Sequence, residues 1–318
     1  MPLKSPRPFA IRVPASTSNL GPGFDGLGLA LDLWNEFRIT PLAKGRNALV
    51  GRGECEGLRD GAVFFKVARR VAARAGRPLP RLSVEVRGAV PMARGLGSSA
   101  TGVVAGALAA NRLLGDPLSL DEILALVVGV EGHPDNVSPA LLGALTASAR
   151  IGAATLTHQY QPHPDWRLAL HVPAYALSTA LARAALPARV PLADAVFNLT
   201  RTPLIVDTLV SGDARELAAL LEDRLHEPYR RRSIHRYAAI RKAALEAGGA
   251  AVFLSGAGPT MAAFCMGDRA ARRVADAMLA AAPRRSGAAR ALVLRPSLKG
   301  ACVESDAAER GRAALRRR

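Results

Sequence analysis

The chain has 318 residues, 49% hydrophobic and 22% charged, and 43 Lys and Arg residues against 26 Asp and Glu residues give it a formal net charge of +17. The apolar fraction excludes an intrinsically disordered chain, and the length favours two domains. The longest apolar runs are too short to cross a bilayer, and the first residues lack the apolar centre of a secretory signal. Three widely spaced cysteines, Cys55, Cys265 and Cys302, favour neither a disulfide framework nor a zinc site. We therefore expect a cytoplasmic enzyme without a membrane partner.

The excess of positive charge keeps a nucleic-acid-binding protein open as an alternative. Arginines are spread along the chain, however, and aromatic residues, which stack on single-stranded bases, make up only 4% of it. We therefore favour an Arg-rich surface together with anionic small-molecule ligands, and expect no nucleic-acid partner.

Strand-like and helix-like segments follow one another along the chain. Apolar alternation predicts strands at 9–14, 27–33, 36–40 and 82–86, and helical spacing predicts helices at 63–75, 99–114 and, after the N-cap Ser119, 120–130. The polar stretch 158–166, with two prolines, is the candidate domain boundary. Beyond it, strands are predicted at 167–172, 250–254 and 291–294, and helices at 193–211, 214–222, 234–247 and 269–282. We predict an α+β protein with an N-terminal domain at 1–158, a C-terminal domain at 159–305 and a basic, disordered tail at 306–318.

A glycine-rich loop, GLGSS at residues 95–99, leads directly into a helix of small residues. Glycines let the backbone approach a ligand, and the unpaired N–H groups and dipole of a first helical turn favour an anion. An N-cap serine before a core helix is the alternative. A Walker A loop is excluded because its lysine is missing, and a dinucleotide fingerprint is disfavoured because the preceding strand ends eight residues too early. The loop therefore predicts a phosphate site of another kind.

Three further segments carry polar residues among turn formers. Residues 14–28, PASTSNLGPGFDGLG, suit either a polar ligand or an ordinary turn. In EGHPDN at 131–136, Glu131 ends a helix whose dipole disfavours a carboxylate, so we expect a cation such as a metal ion beside it. Asp135 could be an N-cap, and His133 a structural hydrogen-bonding group. SGAGPT at 255–260 follows a strand and could close a site with its backbone.

Taken in order, these segments resemble the GHMP kinase superfamily of small-molecule kinases. GLGSSA is similar to the superfamily's phosphate-binding motif, and SGAGPT to its C-terminal glycine motif. PASTSNLGPGFDGLGLAL, EGHPDNVSPALLG, LPARVPLADAVFNLTR and DRLHEPYR are most similar to the homoserine kinase family. The resemblance covers about residues 11–264. It implies a two-domain GHMP kinase fold, with a ribosomal protein S5 domain 2-like N-terminal domain and a ferredoxin-like C-terminal domain.

The resemblance implies ATP-dependent phosphorylation of the side-chain hydroxyl of L-homoserine to O-phospho-L-homoserine in threonine biosynthesis. ATP would be the co-substrate and Mg²⁺ the metal, and a homodimer is possible. The alternative within the superfamily is a kinase for a mevalonate-type substrate, against which LADAVFN and LHEPYR argue. The family's Asn-Leu pair before the first long helix is missing, so the residues that bind adenine are left unassigned. Phe64 in that stretch is predicted to face the core.

The resemblance also assigns site residues by position. The nucleotide would be bound by Pro91, Arg94, Gly95, Leu96, Gly97, Ser98 and Ser99. The substrate would be bound by Asn19, Asp25, His133, Asp135, Arg183, Arg230 and Gly258. Ser99 and Glu131 would hold magnesium, and Asp135 and Glu131 would serve catalysis, Asp135 either as a base or by orienting the substrate. Arg183 and Arg230 would bind the α-carboxylate, for which guanidinium groups are suited in geometry and charge.

Overall fold

A computed structural model describes residues 7–58, 62–282 and 289–305. The strands are β1 (Phe9–Ser18), β2 (Leu27–Leu42), β3 (Ala48–Gly53), β4 (Arg81–Gly88), β5 (Leu145–Ile151), β6 (Ala154–Tyr160), β7 (Trp166–Val172), β8 (Ala251–Leu254), β9 (Met261–Met266), β10 (Arg290–Leu294) and β11 (Cys302–Ser305). The helices are α1 (Ala62–Ala75), α2 (Ser98–Leu113), α3 (Leu120–Glu131), α4 (Val137–Leu142), α5 (Thr179–Ala184), α6 (Leu192–Ser211), α7 (Leu217–Leu220), α8 (Glu227–Arg230), α9 (Tyr237–Glu246) and α10 (Gly267–Ala281). The predicted tail at 306–318 lies outside the described residues.

The first sheet is built around the long strand β2. Its strand order is β11-β1-β2-β4-β3, and β5 and β6 branch from the start of β2. The pairs are antiparallel except for the parallel pair of β3 with β4. The strands predicted at 27–33 and 36–40 are one strand, because β2 continues along β1 through a register shift between Pro14 and Ala15. This irregularity separates the regular part of β1 from its last residues, which reach the candidate site.

The second sheet is antiparallel, with the order β10-β7-β9-β8. Helices α5 to α9 lie between β7 and β8 in the chain, and α10 lies between β9 and β10. This is the β-α-β-β-α-β sequence of a ferredoxin-like unit. The α+β prediction is therefore confirmed.

Strand β7 is buried on both faces and separates two cores. Trp166, Leu168 and Leu170 pack into a core that also contains Leu29 and Leu31 of β2, so this core joins the two sheets. Ala169 faces the other way, toward α9 and α10. A third core packs the first sheet against α1 to α4. The alternation of facing residues follows from the two-residue repeat of a strand.

The chain passes from the first sheet to the second after β6 and returns to the first sheet at β11. The predicted boundary at 158/159 lies within β6, whose largely exposed, polar residues lack apolar alternation. The helix predicted at 214–222 is only the short α7. Among the described residues, no helix combines the length and apolar character that crossing a bilayer requires.

Helices α1 and α2 cross at a glycine. A Cβ atom on Gly106 would lie 2.5 Å from the carbonyl oxygen of Phe64. The backbones approach this closely because Gly106 has no side chain. The Phe64 ring is buried in the core, stacked on Phe37 with ring centroids 6.1 Å apart, as predicted for this residue.

We expect Gly106→Ala to lower the free energy of unfolding by about 1–3 kcal/mol, because the added methyl group meets backbone atoms that cannot rotate away. Gly129→Ala is the control: it lies in α3 with nothing within 4 Å of its Cβ position, and should raise stability by up to about 1 kcal/mol through helix propensity. Urea unfolding measures both. Equal effects of the two substitutions would contradict the close contact.

Candidate active site

The four segments singled out in the sequence meet at one pocket. Of the predicted site residues, it is lined by Asn19, Asp25, Arg94, Gly95, Gly97, Ser98, Ser99, Glu131, His133, Asp135, Arg183 and Arg230. Pro91, Leu96 and Gly258 are not among the lining residues and are buried. Gly256 and Ala257 line the pocket in the segment where Gly258 was predicted.

The glycine-rich loop places a helix N-terminus at the pocket. The N-cap of α2 is Gly97, in the left-handed conformation with a φ of 70° and no side-chain cap, so the N-cap serine alternative is wrong. Thr101 N donates to Gly97 O across 3.1 Å. The N–H groups of Ser98 and Ser99, which precede this bond, have no intrahelical acceptor. Together with the helix dipole they form a place where an anion is favoured.

Both glycines of the loop are required by their surroundings. Gly95 and Gly97 have positive φ angles, which side chains disfavour. A Cβ atom on Gly97 would overlap Ser16 Oγ, and one on Gly95 would overlap the carbonyl oxygen of Ser255. The hydroxyl of Ser255 also donates to Gly95 O across 2.6 Å. The loop is therefore held between the end of β1 and the turn at 255–258.

The polar residues at the end of β1 and just after it bind loops of the protein. Ser16 Oγ donates to Asn136 Oδ1 across 3.0 Å. Thr17 and Asn19 bond to the turn at 255–258, with an Asn19 Nδ2 to carbonyl distance of 2.9 Å. These three side chains are at most 2% exposed. For Ser16 and Thr17, the structure therefore shows contacts within the protein, whereas Asn19 also lines the pocket. Asn136 is the last residue of the EGHPDN segment singled out in the sequence, which assigned it no role of its own.

Asp135 is the most buried acid of the pocket, at 2% exposed. Its Oδ1 contacts His133 Nδ1 and accepts from Asn136 Nδ2 across 3.3 Å. Asn136, and not Asp135, occupies the N-cap of α4, so the N-cap interpretation of Asp135 is wrong. Burial by itself lowers the pKa of His133, but the carboxylates of Asp135, Asp25 and Glu131 together outweigh it, and the net pKa is raised. One orientation of the Asp135 carboxyl group is therefore held by two neighbours.

Ser99 and Glu131 lie together beside the phosphate-type loop. Ser99 Oγ donates to Glu131 Oε2 across 3.4 Å. Burial raises the pKa of Glu131, and the nearby Asp135 adds to this rise while His133 opposes it. Within the described residues, no ion pair is formed by Glu131. A carboxylate and a hydroxyl oxygen next to a phosphate site are the ligands that Mg²⁺ prefers.

A second group could also hold a metal ion. Asp25, His133 and Asp135 each offer a ligand atom within 4.8 Å of the others. Imidazole is a ligand of zinc, copper and iron more than of magnesium. For Mg²⁺ the oxygen pair of Ser99 and Glu131 is therefore the better fit.

The basic side of the pocket is already engaged. Arg183 forms a two-pronged ion pair with Asp25, with N–O distances of 2.7 and 3.0 Å. Arg230 is buried, and its guanidinium group lies 5.1 Å from the centre of the Phe24 ring. Burial lowers the pKa of Arg230, and the nearby charge of Arg183 adds to this. The groups predicted to bind the two charges of an amino acid are thus neutralising each other.

Arg94, predicted to bind the nucleotide, donates to the protein backbone. Its guanidinium group bonds to the carbonyl oxygens of Met92 across 2.7 Å and Pro173 across 2.9 Å, and also to that of Ala174. These bonds tie the glycine-rich loop to the segment after β7. The side chain lines the pocket with its donors directed to carbonyl groups.

Comparison with known proteins identifies the family. The family model for the GHMP kinases N terminal domain matches residues 62–144, and that for GHMP kinases C terminal matches residues 205–284. A homoserine kinase of Moorella thermoacetica is 41% identical over 294 residues, which cover 92% of this chain and 99% of that protein. The chain belongs to the GHMP kinases, within the homoserine kinase family. The family resemblance predicted from the sequence is confirmed.

Solved structures of this kinase family share the fold. The homoserine kinase of Cytophaga hutchinsonii superposes with a TM-score of 0.83 at 24% identity, covering 95% of this chain and 98% of that one. A putative homoserine kinase of Listeria monocytogenes gives a TM-score of 0.77 at 29% identity, covering 94% and 99%. The predicted two-domain GHMP kinase fold is therefore confirmed.

We expect Glu131→Gln to raise the melting temperature of the metal-free protein at pH 8. Because burial raises the folded-state pKa of Glu131, its stabilising contribution is present below the unfolded pKa and is lost as the pH rises through the folded pKa. Glutamine keeps an acceptor for Ser99 and carries no charge. The increase in melting temperature caused by the substitution should therefore grow from pH 5 to pH 8, as measured by thermal unfolding in the presence of a chelator.

Glu122→Gln is the matched control with the opposite sign. The pKa of Glu122 is lowered, first by the backbone N–H of Ser119 in the capping box at the start of α3. The stabilising contribution of ionised Glu122 is present above the unfolded pKa, so the variant should be less stable than the wild type toward pH 8. A Glu131→Gln variant that behaves like Glu122→Gln would contradict the burial effect.

Proposed function

We propose that this chain is a homoserine kinase, which transfers the γ-phosphoryl group of ATP to the side-chain hydroxyl of L-homoserine and produces O-phospho-L-homoserine in threonine biosynthesis. The observation that carries the proposal is the Asp25–Arg183 ion pair beside the phosphate-type loop. It offers one acid and one base to a zwitterion in the same pocket as the phosphate-type loop. The 41% identity to a homoserine kinase supports the same substrate.

The nucleotide end would be the first turn of α2. Its free N–H groups and dipole would hold the triphosphate at Gly95, Gly97, Ser98 and Ser99. Ser99 and Glu131 would hold Mg²⁺, which when bound neutralises phosphate charge. The oxygen chemistry of that pair fits the ion. The half-buried carboxylate of Glu131 is disfavoured in its ionised form, so a cation beside it would offset that cost.

The amino-acid end would exchange one ion pair for two. The substrate ammonium would contact Asp25 and Asn19, and the substrate carboxylate would contact Arg183 and Arg230. Both partners of the internal pair then receive a replacement charge. A substrate with a carboxylate and no ammonium, such as mevalonate, would leave Asp25 without a cation. The exchange therefore favours an amino acid over other acceptors of the superfamily.

Asp135 would act at the reacting hydroxyl. His133 and Asn136 hold one of its oxygens, and its burial excludes water from the carboxyl group. The lone pairs of the carboxylate that these two contacts leave free would accept the hydroxyl proton as phosphoryl transfer proceeds. A homodimer stays a prediction from the resemblance, and a cytoplasmic location stays a prediction from the composition of the chain.

A coupled assay of ADP release with L-homoserine, mevalonate and galactose tests the substrate. We expect magnesium-dependent turnover with homoserine alone, because only homoserine supplies both charges that the Asp25–Arg183 pair requires. Absence of turnover with homoserine would contradict the proposed function, and turnover with mevalonate would assign the chain to another branch.

Asp135→Asn tests the base. The amide keeps the shape of the side chain but cannot take the proton, so kcat should fall by roughly 10²-fold or more while the KM for homoserine changes little. Asp116→Asn is the control, because Asp116 pairs with Arg112 at an exposed position outside the pocket. A loss confined to the KM for homoserine would show that Asp135 orients the substrate.

A further inference from the structure

Arg230, the buried arginine of the proposed carboxylate site, is held from within the protein. It lies at the end of α8, is 3% exposed and still reaches the pocket. Its guanidinium group donates to Gly256 O across 3.2 Å and to Ala182 O across 3.4 Å. Nη1 also lies 3.3 Å from His226 Nδ1. His226 is the one side chain in this set of partners.

The two contacts of His226 define its hydrogen positions. Nε2 lies 2.9 Å from the carbonyl oxygen of Gly21, which can only accept, so Nε2 carries the hydrogen. Arg230 can only donate, so Nδ1 must present its lone pair. A single neutral tautomer satisfies both neighbours. The ring is fully buried, and this burial, with the charge of Arg230, lowers the pKa of His226 although Asp223 opposes the shift.

The backbone of His226 is fixed by a buried carboxylate. Asp223 has a side chain that is 0% exposed. It accepts the N–H groups of His226 across 2.8 Å and of Glu227 across 2.6 Å. Asn198 of α6 donates to Asp223 across 2.7 Å and to the carbonyl oxygen of Pro22 across 3.3 Å. The segments LADAVFN and DRLHEPYR are thereby joined to the loop that carries Asp25.

The imidazole ring also supports the aromatic wall of the site. It stacks on Phe24 with ring centroids 5.1 Å apart and planes inclined by 22°. The guanidinium groups of Arg183 and Arg230 lie 5.4 and 5.1 Å from the centre of the same Phe24 ring. His226 itself is absent from the residues that line the pocket. It therefore acts on a ligand only through its neighbours.

We propose that His226 is a positioning residue for substrate carboxylate recognition: its unprotonated Nδ1 accepts from Arg230 and aims that guanidinium group at the α-carboxylate of the amino-acid substrate. The proposal rests on the proposed function for the identity of the substrate. It assigns a role in specificity to a residue that touches neither substrate nor nucleotide.

Two isosteric substitutions separate the two hydrogen bonds of His226. In His226→Asn the side-chain oxygen takes the place of Nδ1 and keeps the acceptor for Arg230, while the bond to Gly21 is lost. In His226→Gln the amide nitrogen takes the place of Nε2 and keeps the bond to Gly21, while the acceptor is lost. If His226 positions Arg230, the His226→Gln variant should show the larger kinetic defect with L-homoserine. If His226 only anchors the backbone at Gly21, the His226→Asn variant should show the larger defect.

Steady-state kinetics of the full-length chain provide the readout. We expect His226→Gln to raise the KM for L-homoserine roughly 10-fold, with kcat and the KM for ATP changed less than about 3-fold, and His226→Asn to stay within about 3-fold of the wild type. With 3-aminopropan-1-ol, which has the ammonium and hydroxyl of homoserine and no carboxylate, the difference in kcat/KM between the variants should disappear. An equal loss of kcat/KM in His226→Gln with homoserine and with 3-aminopropan-1-ol would overturn the proposal. A larger loss in His226→Asn than in His226→Gln would also overturn it.

Two checks keep the outcomes distinct. Absence of wild-type turnover with homoserine would contradict the proposed function and not the role of His226. In that case, and also where a variant is too unstable for kinetics, crystal structures of both variants decide. Arg230 displaced from the pocket in His226→Gln and retained in His226→Asn supports the proposal, and an unchanged Arg230 in both overturns it.

Discussion

Hydrogen bonds from the last residues of β1 and from Asn19, which follows the strand, hold the candidate site together. Ser16 bonds to the loop after α3, and Thr17 and Asn19 bond to the turn after β8. The backbone N–H of Ser16 also bonds to Leu96 O in the glycine-rich loop. Because a buried hydroxyl or amide without a partner is unfavourable, each bond restricts where its loop can lie. Three loops that are distant in the chain are thereby fixed on one strand end.

The charges around the pocket are arranged for ligands as well as for folding. Asp25 and Arg183 neutralise each other across the space where a zwitterion would fit. Among the residues that the structure describes, Glu131 has only a serine hydroxyl as its hydrogen-bond partner, and its ionised form is disfavoured. A carboxylate that destabilises the protein unless a cation lies beside it is typical of a functional position. The net charge of +17 does not bear on this pocket, in which acids and bases are mixed.

The sequence alone was informative where periodicity or a local motif decides the structure. Helix α1, the capping box before α3 and the glycine-rich loop follow from residues close together in the chain. Polar, exposed β6 was missed because a strand without an apolar face lacks the alternating pattern. The resemblance named Asp25 and Arg183, but their mutual ion pair is a contact between residues 158 positions apart. Contacts of this kind depend on how the two sheets pack. A short stretch of sequence does not contain that information.

The pairing of β11 with β1 bears on how the protein is made. Phe9 to Arg12 of β1 pair with the four residues of β11, which closes one side of the strand that supports the site. On the ribosome β1 emerges long before β11, so this side of β1 has free backbone groups during most of synthesis. Open strand edges promote association between nascent chains, and pairing between distant segments is slow. Assembly of the first sheet is therefore completed only after the second sheet has been synthesised.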